Sequence, residues 1–594
     1  MWKNASGRAA TRGASRGLGR LLPLGVSLLV CARASAGPDP GTDPAANPPG
    51  TVVELQAFRR SSSIAIEDGA GRRGRATLVD LAPAVHAWLL LTLEWEGAAA
   101  ESLHLENPDP RHQKVSLDAS HPTGLVLASG SSERVRCELW SASAPEGLAA
   151  AQRSPAPYAP ICGERLYLRR ETRGRRTKKE WVADLLRDHV WGGEKITEVV
   201  RDTLFKDAWL ETSRLAPDGE SEAVPRDAPP RPLLAAPYRD ELVDARELGL
   251  DVAREAGGRL GIGHWVAVRD SPGIFASAVT PGAIAPEALQ GVAHPVLPLD
   301  PVEARALVYL VAFDLERFEL GFSLGTEHPR VGWADRVPPD ARDDALPGPD
   351  GIGSVAPLVR TGMLSPAMQG SVAASFTGGF KRQHGAFHVG ALAHVHHGSH
   401  YGFVENGTVL SRLQPGLATV SVRGNGRVAL GTWTEDDDAG LEQVRFARQN
   451  GVALIERDPA GGRSGPGALV TQWGPGNWSG SEDQKLRTLR AGLCLLEPGE
   501  RRFLVYGYFS TATPSAMATV FQGYGCAYAM HLDMNALEHT YLALYRREGS
   551  KLLVEHLALG MSVLDQASGD QHLPRFVGFP DNRDFFYLLR REHP

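Results

Sequence analysis

The sequence predicts an α+β protein in which a β-rich domain and a helical segment precede a mixed-sheet C-terminal domain. Three observations carry this expectation. Short apolar runs bounded by Gly, Pro, Asp and Ser recur from Val52 to Cys162 and again after Val302. Two stretches between Trp181 and Leu204 repeat apolar residues at helical spacing. Near the C-terminus, Thr513-Pro514 opens a helix that stops at glycines and leads directly into a strand-like run.

A chain of 594 residues exceeds what one hydrophobic core usually serves, so two or three domains are expected. The composition is globular, and abundant Arg, Ala, Gly and Pro suggests a GC-rich bacterial genome. A formal charge of −6 supplies no basic field, which argues against a nucleic-acid partner. No P-loop spacing occurs, and neither G-x-S-x-G match, GASRG at 13–17 within the N-terminal 36 residues nor GFSLG at 321–325, sits between an expected strand and an expected helix, which argues against α/β-hydrolase and NTPase chemistry.

Residues 1–36 have the pattern of a signal peptide. Arg8, Arg12, Arg16 and Arg20 make a basic start, LLPLGVSLLVCA is apolar but short for a bilayer span, and Ala34-Ser35-Ala36 offers a cleavage site. The competing pattern is a lipoprotein anchored at Cys31, which the bulky Leu29-Val30 disfavours. With no later membrane helix in the pattern, a periplasmic or extracellular protein is expected. Cys137, Cys162, Cys494 and Cys526 remain after cleavage, one pair in each half. An oxidising compartment allows Cys137–Cys162 and Cys494–Cys526 bridges, with four buried thiols as the alternative.

Residues 37–50 are Pro/Gly-rich and read as a flexible linker. Residues 51–165 hold AWLLLTLEWEG, KVSLD, TGLVLASG and ERVRCELW, the pattern of a β-sandwich. The helical segment is placed at 166–212. It begins with the basic run RRETRGRRTKK (169–179), either a solvated linker or a contact for an anionic surface polymer. Residues 213–301 read as a linker and connecting α/β region, with a helix over ELVDARELGLDVAREAG and strands at GHWVAVRD and IFASAV. The last domain is expected over 302–594, opening with ARALVYLVAFDLERFELGFSL as a strand pair.

Four constellations there bear on chemistry. Gly378 and Gly379 follow a strand and permit close backbone approach or a tight turn. His384, His388, His394, His396, His397 and His400 come next, with His394 and His396 on one face of a strand. They suit a divalent transition metal, or else an exposed strand face. VSVRGNGRVALGTW is a hairpin signal, and the acidic TEDDDAG after it reads as solvated. Arg487 and Arg490 precede an apolar strand, where a guanidinium fork can hold a phosphate or carboxylate, or simply face solvent. Lastly, in CAYAMHLD, alternation puts His531 and Asp533 on one face at the strand's end.

Taken in order, VYLVAFDL, SFTGGF, GFVENGTVL, VRGNGRVALGTW, RTLRAGLCLL and ATVFQGYGCAYAMHLDMNAL resemble the phosphodiester glycosidase family over about residues 302–550. The resemblance implies a site lined by Gly378, Gly379, Arg490 and Asp533. Asp533 would take an acid/base or electrostatic role at a sugar–phosphate bond, with Arg490 clamping the phosphate and His531 replacing the family's Asn. Thr377 stands where the motif has Asn, Lys381 where it has a second aromatic, and Met534-Asn535-Ala536-Leu537-Glu538-His539 where it has three glycines and Ser. Either the substrate differs, with Lys381, Asn535, Glu538 and His539 giving new contacts, or activity is lost.

The leading expectation is therefore an exported hydrolase of a sugar phosphodiester or anionic polysaccharide. The alternatives are a catalytically inactive polysaccharide-binding protein and a metal-dependent hydrolase using His394 and His396.

Overall fold

The computed structural model describes residues 50–68, 70–130, 133–140, 147–177, 210–211, 225–254, 257–333, 337, 339–381, 401–458, 461–472, 486–549, 551–568 and 571–591. The signal peptide, both helices expected between 181 and 204, and the histidine cluster with His394 and His396 lie outside the described residues.

The N-terminal strands form two antiparallel sheets. One has six strands in the order Arg60–Glu67, Arg73–Asp80, Trp88–Trp95, Glu101–Glu106, Leu166–Arg169 and Tyr158–Ile161. The other has three, Gln113–Ser116, Gly124–Ser129 and Glu133–Glu138. Leu89, Leu91 and Leu93 share one apolar core with Val115, Leu125 and Leu127. Trp88 and Leu90, pointing the other way, enter the core of the remaining chain. That explains the unbroken run WLLL: a strand covered on both faces is not forced to alternate apolar with polar. The expected helical segment starts with a strand instead, since Leu166–Arg169 pairs with Glu101–Glu106. Cys137 and Cys162 are disulfide-bonded, joining the small sheet to the turn between the last two strands of the large one.

The rest is organised by an eight-stranded sheet. Its order is Val266–Ala267, Ile274–Val279, Val308–Asp314, Phe503–Ala512, Thr488–Leu496, Tyr528–Met534, Ala453–Glu456 and Gly465–Pro466. Every neighbouring pair is antiparallel, so the sheet is not the mixed one expected. It also runs through the boundary placed near Val302, because Ile274–Val279 pairs with Val308–Asp314 along its whole length. Phe318–Ser323, expected to pair with that last strand, instead joins a five-stranded sheet beside Phe585–Arg590. A further five-stranded sheet contains Ala418–Arg423 and Val428–Thr432, the hairpin expected around Gly424-Asn425-Gly426.

The helix Pro514–Gly523 starts where the sequence predicts. The Thr513 hydroxyl accepts from the Ala516 N–H, and Gly525 follows the helix at φ +75°. It lies over Gly492 and Gly507, which are register partners in adjacent strands. A Cβ on Gly492 would stand 2.8 Å from Met517 Cε, and one on Gly507 would stand 3.1 Å from Phe521 Cζ. The paired glycines thus form the trough that seats the helix. Its downstream strand is stapled to the sheet by Cys494–Cys526.

The helix expected over ELVDARELGLDVAREAG does not form. Leu242–Asp244 is a strand, and the Gly249 N–H donates to Leu557 O at 2.9 Å. Leu248 and Leu250 are buried, so tertiary burial and cross-chain bonds override a sequence of good helix formers.

Candidate functional site

The strand Tyr528–Met534 delivers His531 and Asp533 to one polar knot, while Met530 and Leu532 enter the apolar core. The turn after Val372–Thr377 meets it from one side. From the other comes a charged run that sequence reasoning did not single out, Asp581-Asn582-Arg583-Asp584, just before the strand Phe585–Arg590.

Asp533 is buried. Its Oδ1 accepts from the Met534 N–H at 2.8 Å, and Arg583 Nη2 stands 2.8 Å from its Oδ2. The second contact is an ion pair without hydrogen-bond alignment. Burial pushes the carboxyl up to about 6. Arg583, the Met534 N–H and Lys381 pull the other way, and the neighbouring Asp584 adds to the rise. The group is therefore poised near neutrality, where an acid or base is most useful.

Gly378 and Gly379 fit this knot for a reason other than substrate access. The Gly378 N–H donates to Asp584 O at 2.9 Å, and a Cβ there would fall 2.2 Å from Asp584 Oδ2. A Cβ on Gly379 would fall 2.6 Å from Asn450 Oδ1. The protein's own Asp584 and Asn450 occupy the space the glycines leave. Asp584 in turn is held by Arg448, whose Nε donates to Oδ2 at 2.9 Å. Asn450 accepts from the Phe380 N–H at 2.9 Å and donates to His531 O and Leu532 O, tying the glycine turn to the Asp533 strand. Lys381, buried beside them, adds positive potential at Asp533.

Arg490 does not have the geometry of the expected phosphate clamp. It is fully buried, with Nε on Ala512 O at 2.7 Å, Nη2 on Leu486 O at 3.0 Å and Nη1 on His531 Nε2 at 3.0 Å. All three nitrogens are engaged within the protein, which makes it a brace for the strand ends. A guanidinium can only donate, so His531 Nε2 accepts and Nδ1 carries the proton, donating to Leu532 O at 2.7 Å. Burial, then Arg490, holds His531 well below the usual histidine range. Neutral and stacked on Phe380 at 4.7 Å between ring centroids, His531 orients its surroundings and is poorly suited to proton transfer.

Asn535, Glu538 and His539, expected to give new contacts, line the next turn. Asn535 adopts φ +80°, the left-handed backbone a glycine would take, and its Oδ1 accepts from Thr488 Oγ1 at 3.1 Å. His539 Nδ1 donates to Met534 O at 2.7 Å. Glu538 Oε1 accepts from Thr177 Oγ1 at 3.2 Å, and its backbone oxygen accepts from Arg575 and Thr377. Gly378, Gly379, Lys381, His531 and Asp533 thus come together, with Arg490 behind His531 and Asn535, Glu538 and His539 on the adjoining turn. Arg583, Asp584, Arg448 and Asn450 were missed. Their only sequence signal is charge abutting an apolar strand in DNRDFFYLL and RFARQN.

Among the described residues, no group of three or more His, Cys, Asp and Glu side chains is arranged to hold a metal ion. Nor is any helix there long and apolar enough to cross a membrane.

Fold and site together define a β-rich protein with a buried ion-paired carboxyl at the end of a central antiparallel strand. No family model matches the chain, and no curated protein matches it. Among solved structures it is similar to a protein of Burkholderia pseudomallei described as exported. The identity is 10%, over 48% of this chain and 74% of that one, with a TM-score of 0.19. A likeness of that degree carries no argument.

Proposed function

We propose that this protein is an exported hydrolase that cleaves a sugar–phosphate linkage in a surface or extracellular polysaccharide. The observation that carries the reading is Asp533, a buried carboxyl raised to about 6 and paired with Arg583 beside the Gly378-Gly379 turn. The motif resemblance supplies the bond type. The two disulfides suit an oxidising compartment.

In this reaction a water oxygen attacks the anomeric carbon while Asp533 takes the water's proton. The bond from that carbon to the phosphate oxygen breaks, and the phosphate leaves with the electron pair. Arg583 and Lys381, the positive charges acting on Asp533, would take the part first expected of Arg490 and stabilise the negative charge of the leaving phosphate.

A non-catalytic polysaccharide-binding protein is the second reading, favoured by the bulk of Met534 and Leu537, both buried where the family has small residues. The deciding experiment measures sugar release from a panel of sugar phosphodiesters by the wild type and by Asp533→Asn. Release that falls at least about a hundredfold in the variant supports hydrolysis through Asp533. Binding without release in both proteins favours the second reading. A chelator arm tests the histidine cluster, whose metal would be needed if activity disappears with it.

A further inference from the structure

The basic run, expected as a solvated linker or a contact for an anionic polymer, keeps Glu171, Arg173 and Arg175 exposed, yet over its described part it is packed along the protein. Residues 169–177 leave the N-terminal sheet and cross directly onto the walls of the candidate site. Arg169 is buried in an ion pair with Glu106, its guanidinium 4.3 Å from the Trp88 ring centroid, and its Nη2 donates to Val359 O at 3.2 Å. Gly174 lies so close to the Arg583 loop that a Cβ would fall 2.2 Å from Thr326 Oγ1 and 2.4 Å from the Asp581 carbonyl carbon. The Arg175 N–H donates to Pro580 O at 3.0 Å, and the Asn582 N–H donates to Arg175 O at 3.3 Å. Arg176 pairs with Glu327, whose own N–H donates to Asn582 O at 3.2 Å. Thr177 reaches Glu538.

Two backbone groups flanking Asp581, the Pro580 carbonyl and the Asn582 N–H, therefore find their partners in this segment, the second of them next to Arg583. A buried backbone donor left without a partner is costly, so the segment shares in fixing the loop, together with the Gly362 and Thr326 backbone and the Arg575–Asp581 ion pair. We propose that residues 169–177 are a positioning strap for the site: they help fix the loop that holds Arg583 against Asp533, and through Thr177 they set the Glu538 rim. The N-terminal half would then be part of the working site and not an independent appendage. This rests on taking Asp533 and Arg583 as the reacting pair.

Hydrogen exchange on the full-length protein tests it, comparing the wild type with Gly174→Val, Arg176→Ala and Arg176→Lys. In Gly174→Val and Arg176→Ala, peptides covering residues 580–584 and 533–534 should exchange about tenfold faster, while residues 504–508 in the sheet centre keep their protection. Arg176→Lys should recover part of the loss. If Gly174→Val also loses protection at 504–508, it has unfolded and Arg176→Ala decides. Unchanged exchange at 580–584 in that variant, with faster exchange at 173–177, overturns the proposal.

A second readout separates positioning from general stability. The part of the pH dependence of unfolding that disappears on Asp533→Asn should shrink in the Arg176→Ala background, because a loosened loop admits water to Asp533. An unchanged Asp533-dependent slope also overturns the proposal. Neither measurement uses turnover, so the two failures are distinguishable: a failed substrate panel removes the reacting role of the Asp533–Arg583 pair, whereas unchanged exchange removes the segment's hold on the Arg583 loop.

Discussion

Arg583 Nη2 stands 2.8 Å from Asp533 Oδ2, although forty-nine residues of sequence lie between the two and both side chains are almost wholly buried. The pair is asymmetric: Arg583 carries its charge permanently, whereas Asp533, raised to about 6, can lose or gain a proton near neutrality. Whatever the site does, this contact sets its electrostatics.

Replacing Arg583 by Met should lift the Asp533 carboxyl further, since the guanidinium is the largest of the influences that lower it. Leaving a buried carboxylate unpaired should cost about 3 kcal/mol of stability above neutral pH. Chemical denaturation at pH 8 and pH 5 checks this. The loss should be smaller at pH 5, where the carboxyl is protonated; equal losses would remove the ion pair from consideration.

The pH dependence of wild-type stability follows from the raised carboxyls. Asp533 at about 6, Glu405 at about 7 and Glu211 at about 7 all sit above their ordinary values, each chiefly through burial. The folded state then binds protons that the unfolded chain has already released. Their contribution to stability is fully present below about pH 4 and is lost as pH rises through 6 to 7. For Asp533 it amounts to something on the order of 3 kcal/mol. Unfolding curves between pH 4 and 8 should show that component vanish in Asp533→Asn.

Arg490 should behave as structure and not as a substrate contact. Arg490→Lys keeps the charge but cannot reach Ala512 O, Leu486 O and His531 together, and should cost about 2 to 4 kcal/mol. If hydrolysis is found, the surviving folded enzyme should keep its affinity for the phosphodiester. A selective rise in KM with unchanged melting would restore the clamp role.

The Cys494–Cys526 bridge closes a separation of 32 residues around the helix Pro514–Gly523. Replacing both cysteines by Ser should cost about 3 to 4 kcal/mol in the chain-entropy account. Differential scanning calorimetry on the oxidised protein and the double variant measures it. Because the bridge ends two residues before the strand carrying Asp533, hydrogen exchange at 528–534 should rise as well.

Much of the local structure was legible. Thr513-Pro514 announced the helix, the GNG tripeptide announced its hairpin, and alternation in CAYAMHLD placed His531 and Asp533 together, because caps, turns and pleats depend on neighbours only a few residues away. The pairing of sheets was not legible. VYLVAFDL and RFELGFSL look like two halves of a hairpin yet enter different sheets, and ELVDARELGLDVAREAG looks helical until Leu557 claims the Gly249 N–H.

By itself the sequence determined the strand that carries His531 and Asp533 on one face, the capped helix before it and the GNG hairpin; it allowed the two cysteine pairs without choosing them over free thiols. Only the tertiary structure decided that Arg583 is the cation beside that carboxyl, that Arg490 is a buried brace, and that residues 169–177 hold the site's wall. A side chain's chemical role depends on which groups take its hydrogen bonds and how much water is left around it. Those partners come from segments tens to hundreds of residues apart, which no local pattern encodes.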